Sequence, residues 1–256
     1  MKTWTIANQK GGVGKTTTVI SLAGVLAARG ARCLLVDLDP HASLTQYFRL
    51  EEADAGGGVY ALFDPDTAPA VRVLPTAVDN ISVLPGSVAL ATLDRQAQPG
   101  AGRGRVLAEA LKRWETAYDY ALLDCPPVLG MLMVNALAAC ERVILPTQAE
   151  FLALKGLDCM LRTLGMVERA QGRALEYTIV PTLYDRRTRA GHEALRDLER
   201  KYSAQLWDEA IPEDTQFRDA SRQALPLEQW QPEARGALAY RRLLDRLLAV
   251  PEAQPC

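Results

Sequence analysis

The sequence lacks the marks of an exported or membrane-spanning chain. No apolar run is long enough to cross a bilayer, and no charged segment followed by an apolar one precedes the first strand-like residues. The five cysteines are odd in number and form no C-x-x-C pair, a usage typical of buried thiols in a reducing compartment. We therefore expect a cytoplasmic protein without an integral membrane segment.

An excess of either charge is also missing. The formal net charge is -2 and the isoelectric point is near 5.8, which argues against a chain coated in basic surface for nucleic acid. Apolar residues make up 48% of the chain and charged residues 23%, values typical of soluble globular proteins. The composition therefore indicates a soluble globular protein and leaves a local basic patch open.

Short apolar segments rich in β-forming residues alternate along the chain with stretches of helical period. Residues 33–36 and 120–123 are apolar without alternation, as expected for central strands covered by helices on both sides. We predict an α/β fold with a doubly wound, mostly parallel sheet and helices on both faces. The predicted strands span residues 4–7, 33–38, 81–84, 120–123, 143–145 and 177–180.

We expect residues 1–256 to form a single domain. Residues 51–105 are richer in glycine, alanine and proline, and we interpret them as a loop-rich elaboration within that domain. The last long helix, about residues 236–248, carries leucines with arginines between them. It is either a membrane-surface helix or a terminal helix packed on the sheet. The second interpretation is favoured because such apolar stripes usually face a core.

The most informative run, residues 8–17, lies between the first predicted strand and a predicted helix over residues 16–29. Its glycines allow backbone N–H groups to converge on phosphate oxygens at the positive end of a helix. Lys15 is expected to reach the β and γ phosphates, and Thr16 offers a hydroxyl to Mg²⁺. The residues predicted to bind the nucleotide are Gly11, Gly12, Val13, Gly14, Lys15, Thr16 and Thr17.

This loop departs from the generic P-loop pattern in two places. Gln9 stands where the first glycine is expected, and a second lysine, Lys10, precedes the glycine pair. The run resembles the deviant Walker A motif of the ParA/MinD family of P-loop NTPases. The resemblance implies that ATP and Mg²⁺ are the cofactors, that the protein dimerises with ATP, and that Lys10 reaches across the dimer to the partner's phosphates.

Two further motifs place carboxylates at strand ends. Asp37 and Asp39 follow an apolar strand and resemble the family's D-x-D-P switch, which implies that Asp39 positions the attacking water and Asp37 supports the metal. Asp124 ends another apolar strand in the Walker B arrangement and is suited to holding Mg²⁺ through water. The predicted catalytic residues are Lys10, Lys15 and Asp39, and the predicted metal-site residues are Thr16, Asp37 and Asp124.

The resemblance extends over nearly the whole chain and favours the ParA branch. One departure follows the D-x-D-P switch, where His41-Ala42-Ser43 replaces the usual Gln-Gly-Asn. His41 either tunes the switch loop or is a neutral polar loop residue. The second interpretation is favoured because one histidine near a site seldom sets its chemistry unaided.

Binding of non-specific DNA stays open. The resemblance points to arginines near the dimer edge, and even a few phosphate contacts raise affinity by releasing counterions. The acidic pair Glu213-Asp214, however, lies where many family members have basic residues, and it would repel phosphate. The DNA-binding candidates are Arg186, Arg187, Arg189, Arg218 and Arg222.

The resemblance implies a slow ATPase that acts as a dimerisation switch and positions or partitions cargo, with a partner protein that stimulates hydrolysis. The cargo is either plasmid or chromosome DNA or a polar protein assembly such as a chemotaxis array. Two alternatives are an electron-transferring ATPase of the nitrogenase iron-protein type and a MinD-like division-site regulator on the membrane surface. The iron-protein alternative needs cysteines such as Cys125 and Cys140 to face a dimer axis.

Overall fold

The structure, a computed structural model, describes residues 1–50, 57–64, 71–96 and 103–249. The strands are β1 (Lys2–Ile6), β2 (Cys33–Asp37), β3 (Leu74–Pro75), β4 (Ile81–Leu84), β5 (Tyr120–Asp124), β6 (Arg142–Gln148) and β7 (Glu176–Thr182). They form one seven-stranded sheet in the order β3-β4-β2-β5-β1-β6-β7. Only β3 and β4 pair antiparallel, so the prediction of a mostly parallel sheet is confirmed.

Helices cover both faces of this sheet. They are α1 (Lys15–Ala28), α2 (Ser43–Tyr47), α3 (Val59–Phe63), α4 (Leu90–Gln96), α5 (Val106–Leu111), α6 (Met131–Ala139), α7 (Phe151–Gln171), α8 (Arg189–Tyr202), α9 (Gln216–Gln223), α10 (Leu227–Trp230) and α11 (Arg235–Ala249). Alternate residues of β2 enter two different apolar clusters, Leu34 and Val36 on one face and Cys33 and Leu35 on the other. The doubly wound arrangement predicted from the sequence is therefore confirmed.

The six predicted strands are all present. Of these, β5, β6 and β7 extend beyond their predicted bounds by one to three residues, β4 matches its prediction, β2 ends one residue early, and β1 begins two residues and ends one residue early. The structure adds β3, a two-residue edge strand ending in Pro75, which has too few residues for an apolar alternation and whose proline suits only a sheet edge. Residues 51–105 supply α3, β3, β4 and α4. This segment has two glycine-rich ends, residues 56–58 and 99–102. Gly56 and residues 99–102 lie outside the described residues.

The last helix, α11, packs into the core on the same face as α1. Leu243, Leu244 and Leu247 are buried in the cluster that contains the α1 side chains. Tyr240 is fully buried, and its hydroxyl lies 2.8 Å from Thr18 Oγ1 of α1. The packed interpretation of this helix is confirmed. In the part of the chain that the structure describes, no helix is both long and apolar enough to cross a membrane.

The short helix α10 buries a carboxylate against α1. A Cβ atom added to Gly24 would lie only 2.4 Å from Glu228 Oε1, so the close approach requires glycine at this position. Glu228 is 6% exposed, and neither of its carboxylate oxygens has a hydrogen-bond partner among the described residues. Burial raises the pKa of this carboxyl from 4.5 to about 8.

Glu228→Gln is expected to stabilise the protein at pH 8. Between pH 4.5 and 8 the folded protein holds a proton on Glu228 that the unfolded chain releases, so folding stability falls as the pH rises through this window. The glutamine amide cannot ionise, so at pH 8 the variant avoids a loss of up to roughly 4 kcal/mol in the free energy of unfolding. Thermal unfolding at pH 4.5 and pH 8 should show a gain only at the higher pH. The exposed Glu199→Gln is the control, and an equal gain at both pH values would contradict the assignment.

Candidate nucleotide site

The predicted site residues converge at the carboxyl ends of three adjacent central strands. The phosphate loop, residues 8–16, follows β1, while Asp37 and Asp124 end β2 and β5. The parallel register pairs Asp124 with Ile6 on one side and with Asp37 on the other. Parallel pairing therefore brings together groups that are far apart in the sequence.

Glycine geometry forms the phosphate loop. Gly12 and Gly14 have φ angles of 75° and 89°, which strain any residue with a side chain. Gly14 caps α1, and because it has no side chain, the first N–H groups of the helix receive no capping acceptor from it. The loop is fixed from the far side by Thr182 of β7, whose hydroxyl donates to Val13 O at 2.9 Å. Such a helix start favours a bound anion.

Lys15 is a nearly buried cation inside this loop. Its residue is 8% exposed, and its ammonium donates to the backbone oxygen of Lys10 at 3.2 Å. Burial lowers the pKa of Lys15, and the nearby Asp124 carboxyl opposes that shift. A desolvated ammonium at the start of a helix is suited to a phosphate group, which would restore the lost electrostatic stabilisation.

Thr16 and Asp124 form a metal-binding arrangement. The Thr16 hydroxyl donates to Asp124 Oδ2 at 2.7 Å, which leaves the hydroxyl oxygen able to bind a cation. Asp124 is 1% exposed, and its Oδ1 has no hydrogen-bond partner within the described residues. Burial raises the pKa of Asp124 well above its usual range, and Asp37 adds to this effect. A buried carboxylate oxygen without a partner fits a divalent cation, whose charge would reverse the shift.

Asp37 anchors the loop that follows β2. Its Oδ2 accepts hydrogen bonds from the Thr45 amide and hydroxyl at 2.9 and 2.7 Å, and its Oδ1 accepts from the Asp39 amide at 3.2 Å. Burial raises the pKa of Asp37 to about 6. Thr45 was missed by sequence reasoning because no motif spacing marks it. Its hydroxyl also accepts from the Gly86 amide at 3.0 Å, so Thr45 joins the end of β2 to the segment that follows β4. Support of a metal by Asp37 stays a prediction.

Asp39 and His41 lie side by side in the same loop. Asp39 Oδ1 accepts from the His41 amide at 2.9 Å and is 2.8 Å from His41 Nδ1. The His41 side chain is 81% exposed, while that of Asp39 is 15% exposed. Exposure fits the loop-residue interpretation of His41, although its ring directly contacts the carboxylate predicted to position water.

Lys10 points to a different place from Lys15. Its ammonium donates to Gln148 Oε1 at 3.2 Å and forms an ion pair with Glu150, at the junction of β6 and α7. The neighbouring Gln9 donates through its amide to Thr163 Oγ1 of α7 at 2.9 Å. The side chain that replaces the expected glycine thus ties the loop to α7, a contact that the motif comparison did not predict.

The DNA-binding candidates are exposed, and several are paired with acidic residues. Ion pairs join Arg187 to Asp185, Arg189 to Glu193 and Arg222 to Asp219, at 2.9, 2.7 and 3.8 Å. Arg186 and Arg187 also line a cleft of about 1080 Å³ whose walls carry six acidic and four basic side chains. The charges on this surface are therefore mixed. The acidic lining residues are Asp185, Asp208, Glu209, Glu213, Asp214 and Glu233.

Two side chains in and just after α2 contact the C-terminal end of α9. No pattern in the sequence indicated either contact. Tyr47, the last residue of α2, donates from its hydroxyl to Leu225 O at 2.8 Å. The Arg49 guanidinium donates to the backbone oxygen of Arg222, a DNA-binding candidate near the end of α9. These two contacts link α2 and the residues just after it, which follow the Asp39 loop, to the C-terminal end of α9.

Comparison with known proteins agrees with this geometry. Residues 1–177 match the family model described as "AAA domain". The chain is 34% identical to the sporulation initiation inhibitor protein Soj of Bacillus subtilis, covering 95% of this chain and 97% of that protein. It is 38% identical to the chromosome-partitioning ATPase Soj of Thermus thermophilus, covering 95% and 94%. The solved structure of cobyrinic acid a,c-diamide synthase from Mycobacterium smegmatis, with bound ATP analogue and magnesium, is 32% identical, with a TM-score of 0.83 and coverage of 99% and 100%. The chain therefore belongs to the Soj/ParA family of partitioning ATPases.

Proposed function

We propose that this protein is an ATP-dependent dimerisation switch that positions or partitions cellular cargo. The different positions of the two lysines in the phosphate loop carry the proposal. Lys15 is nearly buried within the phosphate loop, whereas the Lys10 ammonium lies against Gln148 and Glu150 outside it. Of these two lysines, only Lys15 lies where it can bind the phosphates of its own protomer. This position supports a role for Lys10 on the nucleotide of a second copy.

The remaining residues supply a hydrolysis site. The backbone of residues 11–17 and the Lys15 ammonium would hold the phosphates, and Thr16 with Asp124 would hold Mg²⁺. When bound, Mg²⁺ neutralises charge on the transferring phosphoryl group. Asp39 would orient the attacking water, and Lys10 from the second copy would stabilise charge in the transition state, as an arginine finger does. The M. smegmatis relative was solved with an ATP analogue and magnesium, which supports both cofactors.

The alternative functions receive less support. Cys125 and Cys140 are fully buried, so neither is available to hold an iron–sulfur cluster at a dimer axis. The apolar face of α11 is packed against α1 instead of being free for lipid. Two relatives, from Treponema pallidum and Caulobacter vibrioides, are named for chromosome partitioning, which supports the partitioning role. The proposal includes a cytoplasmic location at the nucleoid or the cell pole and a hydrolysis-stimulating partner. DNA and a polar protein assembly are the two candidate cargoes.

Sedimentation of the Asp39→Ala variant tests the proposal. With ATP and Mg²⁺ we expect a dimer, because binding is retained while hydrolysis is blocked; with ADP we expect a monomer. Adding non-specific duplex DNA at low and moderate salt separates the cargo classes. Cosedimentation with DNA supports nucleoid binding, and a dimer that ignores DNA supports a protein cargo. A monomer under every condition would refute the switch.

Reversing two arginine charges tests the DNA surface. The double variant Arg187→Glu, Arg218→Glu is expected to weaken binding of the ATP form to duplex DNA. The dependence of this affinity on salt concentration should also become shallower, by the equivalent of about two phosphate contacts. The double variant Arg196→Glu, Arg200→Glu, at two exposed positions of α8, changes the net charge by the same amount and serves as the control. Equal affinity of the double variant and the parent would exclude this surface as the DNA site.

A further inference from the structure

Lys10 is tied to its own protomer through both its backbone amide and its ammonium. Its backbone amide donates to Asn8 Oδ1 at 3.0 Å, and the nearly fully buried Asn8 donates to Pro146 O of β6 at 2.8 Å. Its ammonium contacts Gln148 at the end of β6 and Glu150 just beyond it. The structure thus fixes Lys10 within its own protomer.

Glu150 occupies the N-cap position of α7, a helix of 21 residues. The positive end of a helix favours a negative charge at this position. Its side chain accepts no capping hydrogen bond from α7, so its carboxylate is not used to satisfy its own helix. The ion pair with Lys10 is therefore the interaction that the structure shows for this carboxylate.

The charge of an ammonium held against Glu150 is already paired with a carboxylate of its own protomer, and the ammonium would have to leave that carboxylate to reach a phosphate on a second copy of the chain. We propose that Glu150 is a positioning residue that retains Lys10 on its own protomer until the triphosphate of a second copy replaces the carboxylate. A triphosphate carries more negative charge than one carboxylate, so the exchange becomes favourable only when a partner presents its nucleotide. This inference rests on the proposed role of Lys10 in dimerisation.

The exposure of the pair limits the size of the effect. The side chains of Lys10 and Glu150 are 29% and 39% exposed, and ion pairs in such surroundings change an equilibrium by about two- to fivefold. A symmetric dimer releases two pairs, one from each protomer. The dissociation constant of the dimer should therefore change by the square of that factor, about 4- to 25-fold.

The test compares dimer dissociation constants by sedimentation in ATP and Mg²⁺, in the Asp39→Ala background. Glu150→Gln keeps the shape and removes the charge, and it is expected to lower the dissociation constant about 4- to 25-fold. Glu193→Gln removes a similar carboxylate from the Arg189 ion pair on α8 and should leave the constant unchanged.

A second comparison separates retention of Lys10 from simple charge repulsion. In a Lys10→Ala background, which is expected to stay monomeric with ATP, Glu150→Gln is expected to restore no dimer. A gain that persists without Lys10, an unchanged constant or a weaker dimer would each overturn the inference. If the Asp39→Ala parent forms no ATP dimer, the proposed function itself fails. If the parent dimerises and Glu150→Gln changes nothing, only the role of Glu150 fails.

Discussion

Alanine in place of Lys15 is expected to lower the affinity for ATP by at least about a hundredfold. Loss of two charge-assisted hydrogen bonds to phosphate removes about 3 to 6 kcal/mol, or about 10²- to 10⁴-fold in affinity. The effect is large because Lys15 is 8% exposed and water cannot take over its role. Isothermal titration with ATP and Mg²⁺ measures it.

The fold should survive this substitution. Burial already disfavours the charged form of Lys15, as its lowered pKa indicates, so removing the ammonium relieves a desolvation penalty. Thermal unfolding without nucleotide should therefore show no loss of stability. Lys10→Ala is the matched control, since it should bind ATP as a monomer and fail to dimerise. ATP affinity unchanged by Lys15→Ala would remove this residue from the site.

The Asp39→Ala variant is expected to bind ATP normally and to hydrolyse it at least about a hundredfold more slowly. Loss of an oriented water and of general-base assistance typically costs about 10²- to 10⁴-fold in rate. Binding is spared because Asp39 lies on the switch loop beyond β2 and not in the phosphate loop. Single-turnover hydrolysis at saturating protein separates the chemical step from product release.

Two controls make this assignment specific. Asp39→Asn keeps an oxygen for the His41 amide while removing the charge, and it should be about as slow as the alanine variant. His41→Ala removes the exposed ring that contacts Asp39, and it should leave hydrolysis nearly unchanged if His41 is a neutral loop residue. Hydrolysis by Asp39→Ala at the parent rate would refute the water-positioning role.

The sequence allowed the sheet and the residues that meet at the carboxyl ends of its central strands to be predicted for physical reasons. Buried parallel strands require apolar residues on both faces, so they appear as continuous apolar runs, and their carboxyl ends meet at one edge. Glycine is required at φ angles such as that of Gly14, which makes the loop recognisable by its residue types. Lys15, Thr16 and Asp124 could accordingly be named before their geometry was known.

Contacts between distant polar residues could not be predicted in the same way. Thr45 binds Asp37 and Glu150 binds Lys10, yet threonine and glutamate are common surface residues whose partners depend on tertiary packing. The pairing of Arg187 with Asp185 is similar, because charge in a sequence does not reveal whether an arginine is neutralised locally. The buried carboxylate of Glu228 also gave no sequence signal, since glutamate at a short helix is usually solvated.

The central position of β1 has a consequence for synthesis of the protein. This strand is made before both of its neighbours in the sheet, β5 and β6, which end at Asp124 and Gln148. At about 5 to 20 residues per second, roughly 7 to 30 s separate translation of β1 from completion of β6. The phosphate loop follows β1, donates a hydrogen bond from Asn8 to Pro146 O of β6 and accepts one at Val13 O from Thr182 of β7. A nascent chain arrested before β6 should therefore fail to retain ATP, although all of the residues predicted to bind phosphate have already been translated.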